Sequence, residues 1–310
     1  MMMQENTEGK RGDYHMEMEY AILASDIKKK FKGFMLDIPE CNIPKGFATA
    51  LIGENGAGKT TLLNILSGIR LDYKGKIRYF NEREADIDQV RERLGYTGPG
   101  NYFLPHWNLR QVEEVSGLLF DTFDAKRYES LCSELGIASG DWKKSVSRLS
   151  DGNRMKLTIA AVLARDTECL LMDEPASPLD PLMRDKLCSM IREYIAEGNG
   201  ERSVLFSTHN ISDMENVTDY CIIIEQGKIV EEGFVEDLKE KYVLVKGDAK
   251  DTAAAKDILY SYSGNQYGFE GICLADDLDR FAGTDVSLET PTLFQISVAV
   301  MKANTKMNYA

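Results

Sequence analysis

The distribution of apolar and polar residues predicts strands that alternate with helices over most of the chain. Short apolar runs suited to buried strands occur at 47–53, Cys169–Asp173, 203–207 and 221–225. Before them, residues 17–46 alternate loosely and contain Gly and Pro, which is typical of short antiparallel strands. Continuously apolar strands that alternate with helices indicate a mostly parallel sheet covered on both faces. We therefore predict an α/β fold with an added antiparallel β subdomain.

Helical spacing marks the segments between these runs. The sequence TTLLNILSG, from Thr60, has apolar residues spaced as on a helix. Residues 107–164 read mostly as helices with polar faces, and further helices are expected around 183–195 and at 211–219. We expect the segment of about 97–164 to form a helical subdomain.

The pattern changes after residue 233. The last part of the chain is predicted to contain a strand, a helix, a strand and a helix that begins after a proline, at 242–247, about 251–261, 268–274 and about 291–302. At about 150 residues per domain, 310 residues correspond to roughly two domains. We therefore expect residues 241–310 to form a small α+β accessory domain after a main domain at 17–240.

Composition narrows the classes of function. The chain has 37 Lys and Arg against 50 Asp and Glu, which gives a net charge of −13. Nucleic-acid binding requires clustered Lys and Arg, so this balance argues against it. A small phosphate ligand is still compatible, because backbone N–H groups and one Lys can hold it. Residues 1–16 are predicted to be a polar tail without a secretory signal, and the apolar runs are too short to span a membrane.

Cysteine and histidine give little sign of a structural metal or a disulfide framework. The six cysteines lie far apart, without a CxxC pair, at positions 41, 132, 169, 188, 221 and 273. This spacing favours buried, reduced thiols in a cytosolic protein. The three histidines, at positions 15, 106 and 209, are too few for a zinc site.

A phosphate-binding loop follows the first apolar run. The sequence GENGAGKT at 53–60 fits the pattern G-x-x-x-x-G-K-[ST] between a predicted strand and a predicted helix. Its glycines allow the backbone N–H groups to face phosphate oxygens at a helix N-terminus. Lys59 is expected to reach the β and γ phosphates, and Thr60 to offer its hydroxyl to Mg²⁺. The predicted nucleotide-binding residues of this loop are Gly53, Glu54, Asn55, Gly56, Ala57, Gly58, Lys59, Thr60 and Thr61.

Two acidic residues end the apolar run CLLMDE. Asp173 is expected to deliver a carboxylate to Mg²⁺, usually through water. Glu174 follows directly and is expected to take a proton from an attacking water. Adjacent acids at a strand end can also be simple solvated charges. Their combination with the phosphate-binding loop favours the catalytic interpretation.

These residues, with others in order, resemble the ATPase subunits of ATP-binding cassette (ABC) transporters over about 17–235. LSDGN at 149–153 is similar to the family signature LSGGQ, which binds the γ-phosphate from the opposite subunit. Ser150 and Gly152 match that signature, whereas Asp151 and Asn153 depart from it.

Two further motifs are similar to those of the family. Asp180, in SPLD, resembles the D-loop residue that crosses the dimer interface. His209, in FSTHN, resembles the switch histidine that contacts the γ-phosphate, and is taken as a second catalytic residue.

Two positions match the family less well. Phe31 lies about where the family places an aromatic side chain that stacks on adenine, with Phe34 as a competitor and core packing as the alternative role. The family's Q-loop glutamine, an Mg²⁺ ligand and a link to the permease, aligns with Pro99 in TGPGN. Asn101 is the candidate substitute.

The resemblance implies a P-loop NTPase fold with a RecA-like sheet, a helical signature subdomain, and ATP and Mg²⁺ as cofactors. It implies an ATPase that forms a head-to-tail dimer, with itself or a paralogue, and drives export of a peptide, antibiotic or similar molecule. The partner would be a separate transmembrane permease, which places the chain peripherally at the cytoplasmic face of the membrane.

The alternative is a regulatory or mechanical switch on a non-transporting membrane partner. A GTPase is disfavoured, because the sequence contains no N-K-x-D or T-K-x-D motif.

Overall fold

The computed structural model describes residues 18–82, 86–100, 102–251 and 255–308. The polar tail predicted for 1–16 lies outside the described residues. The strands are β1 Tyr20–Phe31, β2 Phe34–Pro44, β3 Ala48–Ile52, β4 Lys74–Tyr79, β5 Leu94–Thr97, β6 Cys169–Asp173, β7 Ser203–Thr208, β8 Tyr220–Glu225, β9 Lys228–Phe234, β10 Tyr242–Asp248, β11 Ser263–Gly264, β12 Gly268–Leu274 and β13 Val286–Glu289. The α-helices are α1 Lys59–Leu66, α2 Ile87–Arg93, α3 Leu109–Leu119, α4 Ala125–Glu134, α5 Asp151–Leu163, α6 Pro181–Glu197, α7 Val235–Lys241 and α8 Leu293–Asn308.

The strands form three sheets. The main sheet has the order β5-β6-β7-β3-β8-β9, with all neighbours parallel except the β8–β9 pair. The predicted antiparallel subdomain is a three-stranded sheet of order β2-β1-β4. A third, antiparallel sheet near the C-terminus has the order β11-β12-β10-β13. Within the described part of the chain, no helix is both long and apolar enough to cross a membrane.

The parallel register of the main sheet brings its strand ends to one edge. Ile52 at the end of β3 is paired with Thr208 on β7, and Asp173 at the end of β6 is paired with Ser207. All residues of β3, β6 and β7 are buried, which accounts for their uninterrupted apolar runs. The residues that follow these strand ends therefore meet at one edge, where ligands of open α/β sheets bind.

The helical subdomain predicted from the sequence lies between β5 and β6. It consists of α3, α4 and α5 with two short 3₁₀ helices between them, Ser139–Lys143 and Val146–Arg148. The α3 helix begins at a capping box, in which Asn108 and Gln111 bond reciprocally to each other's backbone. Side chains from these helices join the core beneath the main sheet, so the subdomain is held by packing.

Two predicted helices differ from the structure. The helix predicted at 211–219 is wrong: the structure has two 3₁₀ turns, Ile211–Asp213 and Glu215–Val217. Asn210 donates a side-chain hydrogen bond to Asp213, and such local bonds compete with a continuous helix. Of the helix predicted at about 251–261, residues 252–254 lie outside the described residues. Its end is wrong, because the Tyr260 N–H donates to the carbonyl of Ile272 on β12.

The C-terminal segment has a small core of its own but also joins the main one. The third sheet covers a separate cluster that includes Val245 and Phe269. Helix α8, in contrast, buries Leu293, Ile296 and Ala299 completely in the core that lies under the main sheet. The division at residue 240 stays a prediction, and from this packing we expect the two parts to unfold together.

Ile296→Ala is expected to lower the free energy of unfolding of the whole chain by about 2–5 kcal/mol, the usual cost of such a core truncation. Ile296 is fully buried in the shared core, whereas Phe294, two residues earlier, is 44% exposed and serves as the control. Denaturant unfolding should be followed both by fluorescence and by loss of ATP binding. If ATP binding is lost at the wild-type denaturant concentration, the C-terminal segment is energetically independent of the ATPase part.

Candidate nucleotide-binding and catalytic site

A cleft of about 900 Å³ opens at the edge where the strands β3, β6 and β7 end. It runs from the phosphate-binding loop to the beginning of α5. Seven of the nine loop residues predicted to bind nucleotide line this cleft: Glu54, Asn55, Gly56, Gly58, Lys59, Thr60 and Thr61. Gly53 and Ala57 are buried behind it and support the loop from inside.

The glycines of the loop meet different physical requirements. Gly56 and Gly58 have φ angles of 87° and 114°, in the left-handed region that favours glycine. A Cβ on Gly53 would come within 2.3 Å of the Ile224 carbonyl oxygen, so close backbone approach excludes a side chain. With the loop curled in this way, α1 begins at Lys59 and its free N–H groups face the cleft, as in an anion-binding helix N-terminus.

Lys59 is held in place by contacts with the chain itself. Its residue is only 5% exposed, and its Nζ donates to the carbonyl oxygens of Gly53, at 2.7 Å, and Glu54, at 3.2 Å. The same Nζ lies 3.4 Å from Oε1 of Glu174. The cation of the loop and the proposed catalytic acid are therefore in direct contact.

Glu174 connects two other residues that the sequence analysis singled out, Lys59 and His209. While Oε1 faces Lys59, Oε2 lies 2.7 Å from Nδ1 of His209. Glu174 has a φ of 50°, a left-handed conformation that is uncommon for a residue with a side chain. Such outliers cluster at functional sites, where the surrounding structure holds them in place. The sharp turn after β6 thus directs the carboxylate between Lys59 and His209.

Asp173 has the properties expected of a metal-binding carboxylate. It is completely buried, and its Oδ1 accepts a 2.5 Å hydrogen bond from the Ser207 hydroxyl. Its Oδ2 is buried without a hydrogen-bond partner among the described residues. A buried carboxylate oxygen normally has a partner, so a cation or its bound water fits this position. Thr60, the other proposed ligand, is exposed on the wall of the cleft.

The two phenylalanines considered for adenine both line the cleft, with ring centroids 6.0 Å apart. The Phe34 ring lies against the loop: a Cβ added to Gly58 would be only 3.1 Å from the Phe34 Cζ. Phe31 lies farther out, with the Lys29 Nζ and the Arg70 guanidinium 5.3 and 5.4 Å from its ring. This arrangement favours Phe31 as the stacking residue, which stays a prediction.

The signature residues lie at the beginning of α5. The Ser150 hydroxyl accepts a hydrogen bond from the Asn153 N–H, at 3.2 Å, and so caps the helix. A Cβ on Gly152 would lie 2.8 Å from the Pro178 carbonyl oxygen.

Asp151 is exposed and forms an ion pair with Arg154, one turn further along the helix. Asp180 caps α6 through the Met183 N–H. Asp151 and Arg154 line the cleft, whereas Ser150, Gly152 and Asp180 do not.

Asp151→Gly is expected to change the ATPase rate less than about threefold, because an exposed i,i+3 ion pair on a helix is worth only about 0.2–0.5 kcal/mol. The Asp151 side chain is 80% exposed and already paired with Arg154. Gly152→Asp is expected to abolish activity, since even its Cβ would collide with Pro178. Steady-state phosphate release from both variants tests this contrast. A large activation in Asp151→Gly would show instead that this carboxylate faces the nucleotide.

Two tyrosines that the sequence analysis did not single out, Tyr96 and Tyr102, flank the segment TGPGN that was aligned with the Q-loop. Pro99 lines the cleft, and Asn101 lies outside the described residues. These side chains and Asp173 surround Gly98. A Cβ added to Gly98 would lie 3.0 Å from the Asp173 Cβ and from the Tyr102 hydroxyl, and 3.1 Å from the Tyr96 hydroxyl. Burial, with a contribution from the nearby Asp173 carboxylate, raises the pKa of the Tyr102 hydroxyl. The phenols of Tyr96 and Tyr102 therefore lie near Asp173, beside the segment that the sequence analysis aligned with the Q-loop.

Ser207 is a second residue that the sequence analysis missed. It is fully buried, and its hydroxyl accepts a 3.0 Å hydrogen bond from the Glu174 N–H while it donates to Asp173. In the sequence it is one polar residue in the run SVLFS, two positions before His209. Only the pairing of β6 with β7 reveals that it adjoins both acids.

Comparison with known proteins identifies the family. Residues 36–177 match the family model described as ABC transporter. The tungstate uptake system ATP-binding protein TupC of Peptoclostridium acidaminophilum is 30% identical over 219 residues, which are 69% of this chain and 99% of that protein. The chain therefore belongs to the ATP-binding proteins of ABC transporters. Its fold and site define an ATP-binding P-loop ATPase, as the sequence predicted.

Other relatives and solved structures agree with this assignment. The human ATP-binding cassette sub-family A member 9 is 32% identical over 235 residues, 74% of this chain. The chain spans only about one-seventh of the length of this and two other human relatives. A structure titled as the ATP-binding subunit of an ABC transporter gives a TM-score of 0.62 at 22% identity, covering 71% of this chain and 92% of that one. This likeness confirms the predicted fold class.

Proposed function

We propose that this chain is the ATP-hydrolysing subunit of an ABC exporter and works with a separate transmembrane permease. The observation that carries the proposal is the contact of Glu174 with both Lys59 and His209 at the mouth of the phosphate-binding loop. It brings the proposed base, the phosphate-binding cation and the switch histidine to one point, as hydrolysis requires.

In the proposed reaction, the loop N–H groups and Lys59 bind the phosphates, and Phe31 stacks on the adenine. Thr60 and Asp173 would hold Mg²⁺, which would supply positive charge to the phosphate oxygens. Glu174 accepts a proton from the attacking water. His209 holds the Glu174 carboxylate and faces the γ-phosphate. The phosphates of ATP would compete with Glu174 for Lys59, whose Nζ lies 3.4 Å from Oε1 of Glu174.

The signature residues complete a second copy's site. Ser150 and Gly152 do not line their own chain's cleft, which supports the family arrangement in which the signature acts on the ATP of the opposite subunit. We infer that two subunits, identical or paralogous, enclose two ATP molecules between loop and signature, with Asp180 at the interface. Closure on ATP and release after hydrolysis would drive the permease between conformations.

The direction of transport is proposed as export. The short helical subdomain and the appended C-terminal segment are similar to cassettes that move peptides, antibiotics or polymers. Relatives of this chain include proteins named for uptake, such as the thiamine import ATP-binding protein ThiQ of Haemophilus ducreyi, 31% identical over 192 residues. Direction must therefore be tested directly.

Purification of the tagged chain from its native membrane tests the proposal. We expect a multi-span permease to copurify and the chain to remain on the cytoplasmic face until high salt or alkaline washing releases it. A matched preparation of Lys45→Ala, altered at an ion pair with Glu19 and Glu201, controls for surface charge. Recovery of a membrane partner that lacks permease character would support the regulatory or mechanical switch, and an importer's binding protein would contradict export.

A further inference from the structure

Ser207 lies between the two acidic residues of the site. Parallel pairing of β6 with β7 places it directly beside Asp173, and it is completely buried there. Its hydroxyl hydrogen is donated to Oδ1 of Asp173 at 2.5 Å. Its oxygen accepts the N–H of Glu174 at 3.0 Å. One hydroxyl therefore hydrogen-bonds both the carboxylate of Asp173 and the backbone N–H of Glu174.

The bond to Asp173 determines which carboxylate oxygen is available. With Oδ1 engaged by Ser207, the carboxylate is fixed in rotation, and Oδ2 is the oxygen left without a hydrogen-bond partner among the described residues. Partners that hydrogen-bond a ligating carboxylate orient it, and their removal typically costs about 10–100-fold in metal affinity or activity. By bonding to Oδ1, Ser207 therefore determines the direction in which Oδ2 of Asp173 points.

The bond to Glu174 acts on a strained backbone. Glu174 has a φ of 50°, and left-handed conformations of residues with a side chain persist only where the surroundings hold them. The Ser207 hydroxyl is the acceptor for the N–H of this residue. It therefore stabilises the turn that aims the Glu174 carboxylate at Lys59 and His209.

We propose that Ser207 is a positioning residue for Mg²⁺-dependent ATP hydrolysis, which aligns Asp173 and Glu174 through its single hydroxyl. This inference rests on the proposed Mg²⁺ site at Asp173 and on the proposed role of Glu174 as the base. It assigns a function to a residue of β7, the strand directly before His209. Strands β6 and β7 are thus joined by the Ser207 side chain as well as by backbone pairing.

The same strand provides a matched control. Ser203, at the other end of β7, is also fully buried, and its hydroxyl accepts the Gly46 N–H at 3.0 Å. Ser203→Ala and Ser207→Ala thus remove the same atom from the same strand, and each leaves one backbone N–H without its acceptor. They differ in whether the lost hydroxyl adjoins Asp173 and Glu174.

The test compares both variants with the wild type by ATP titration, with Mg²⁺ and with EDTA, and by steady-state turnover. In Ser207→Ala we expect kcat to fall about 10–100-fold, and the gain in ATP affinity on adding Mg²⁺ to shrink by a factor in the same range. The ATP affinity measured in EDTA should stay at the wild-type value, because the phosphate-binding loop is intact. Ser203→Ala should retain wild-type values of all three quantities.

Each outcome decides between specific alternatives. Ser207→Thr, which keeps the hydroxyl, should recover most of the kcat and of the Mg²⁺ effect. Equal losses in Ser203→Ala and Ser207→Ala, or a wild-type Mg²⁺ effect in Ser207→Ala, would overturn the inference. If the affinity of the wild type itself does not respond to Mg²⁺, the proposed metal site fails rather than the role of Ser207.

Discussion

Glu174→Gln is expected to bind ATP and hydrolyse it about 10²–10⁴-fold more slowly than the wild type, the usual contribution of a general base. The amide is nearly isosteric with the carboxylate but cannot take up the proton of the attacking water. The left-handed turn after β6 and its hydrogen bond to Ser207 involve the backbone, so the substitution leaves them intact. The loss should therefore be confined to turnover.

The variant should also accumulate an ATP-bound dimer, visible by size-exclusion chromatography with ATP and Mg²⁺. Glu168→Gln is the matched control, because Glu168 precedes the same strand at its opposite end and pairs there with Arg93. It should turn over at nearly the wild-type rate and elute as the wild type does. Turnover of Glu174→Gln within a few fold of the wild type would mean that another group is the base.

The phosphate-binding loop could be predicted from the sequence because its requirements are local. Glycine at 56 and 58 is required by positive φ angles within the loop itself, and Lys59 follows at a fixed distance along the chain. The main strands could be predicted for a similar reason, since burial on both faces makes each an uninterrupted apolar run. Where the conformation of a segment depends only on neighbouring residues in the chain, the sequence is thus enough to predict it.

The contacts of Ser207 and Tyr102 could not be predicted in this way. Ser207 adjoins Asp173 because β7 pairs with β6, a relation between residues 34 positions apart in the chain. Tyr102 lies near Asp173, on another side of Gly98, because of the path that the chain takes after β5. Neither relation leaves a periodic signal, since strand register and loop path are set by tertiary packing.

The C-terminal helix shows a different limit of sequence reasoning. The sequence predicts a helix at about 291–302, and the structure has a helix at Leu293–Asn308. Periodicity does not identify the surface against which a helix packs. In the structure it packs into the core of the main sheet rather than into a separate domain core. The helix itself was predictable here, and the surface against which it packs was not.

Lys59→Ala is expected to weaken ATP binding itself by about 10–100-fold, because a hydrogen bond to a charged group contributes about 1.5–3 kcal/mol. The structure adds a second reason for the loss. Lys59 Nζ lies 3.4 Å from Oε1 of Glu174, so its removal leaves this carboxylate facing the incoming phosphates without the cation. A direct titration at equilibrium measures the effect, with Lys45→Ala as a lysine control far from the cleft.

The double variant Lys59→Ala/Glu174→Gln separates the two reasons for this loss. If Lys59 acts only by contacting phosphate, removal of the carboxylate as well should not restore affinity. If it also neutralises Glu174, the double variant should bind ATP more tightly than Lys59→Ala, because like-charge repulsion is gone. Residues in contact are expected to be non-additive in such a cycle. We expect partial recovery, and strict additivity of the two single effects would show that Lys59 and Glu174 do not interact when ATP binds.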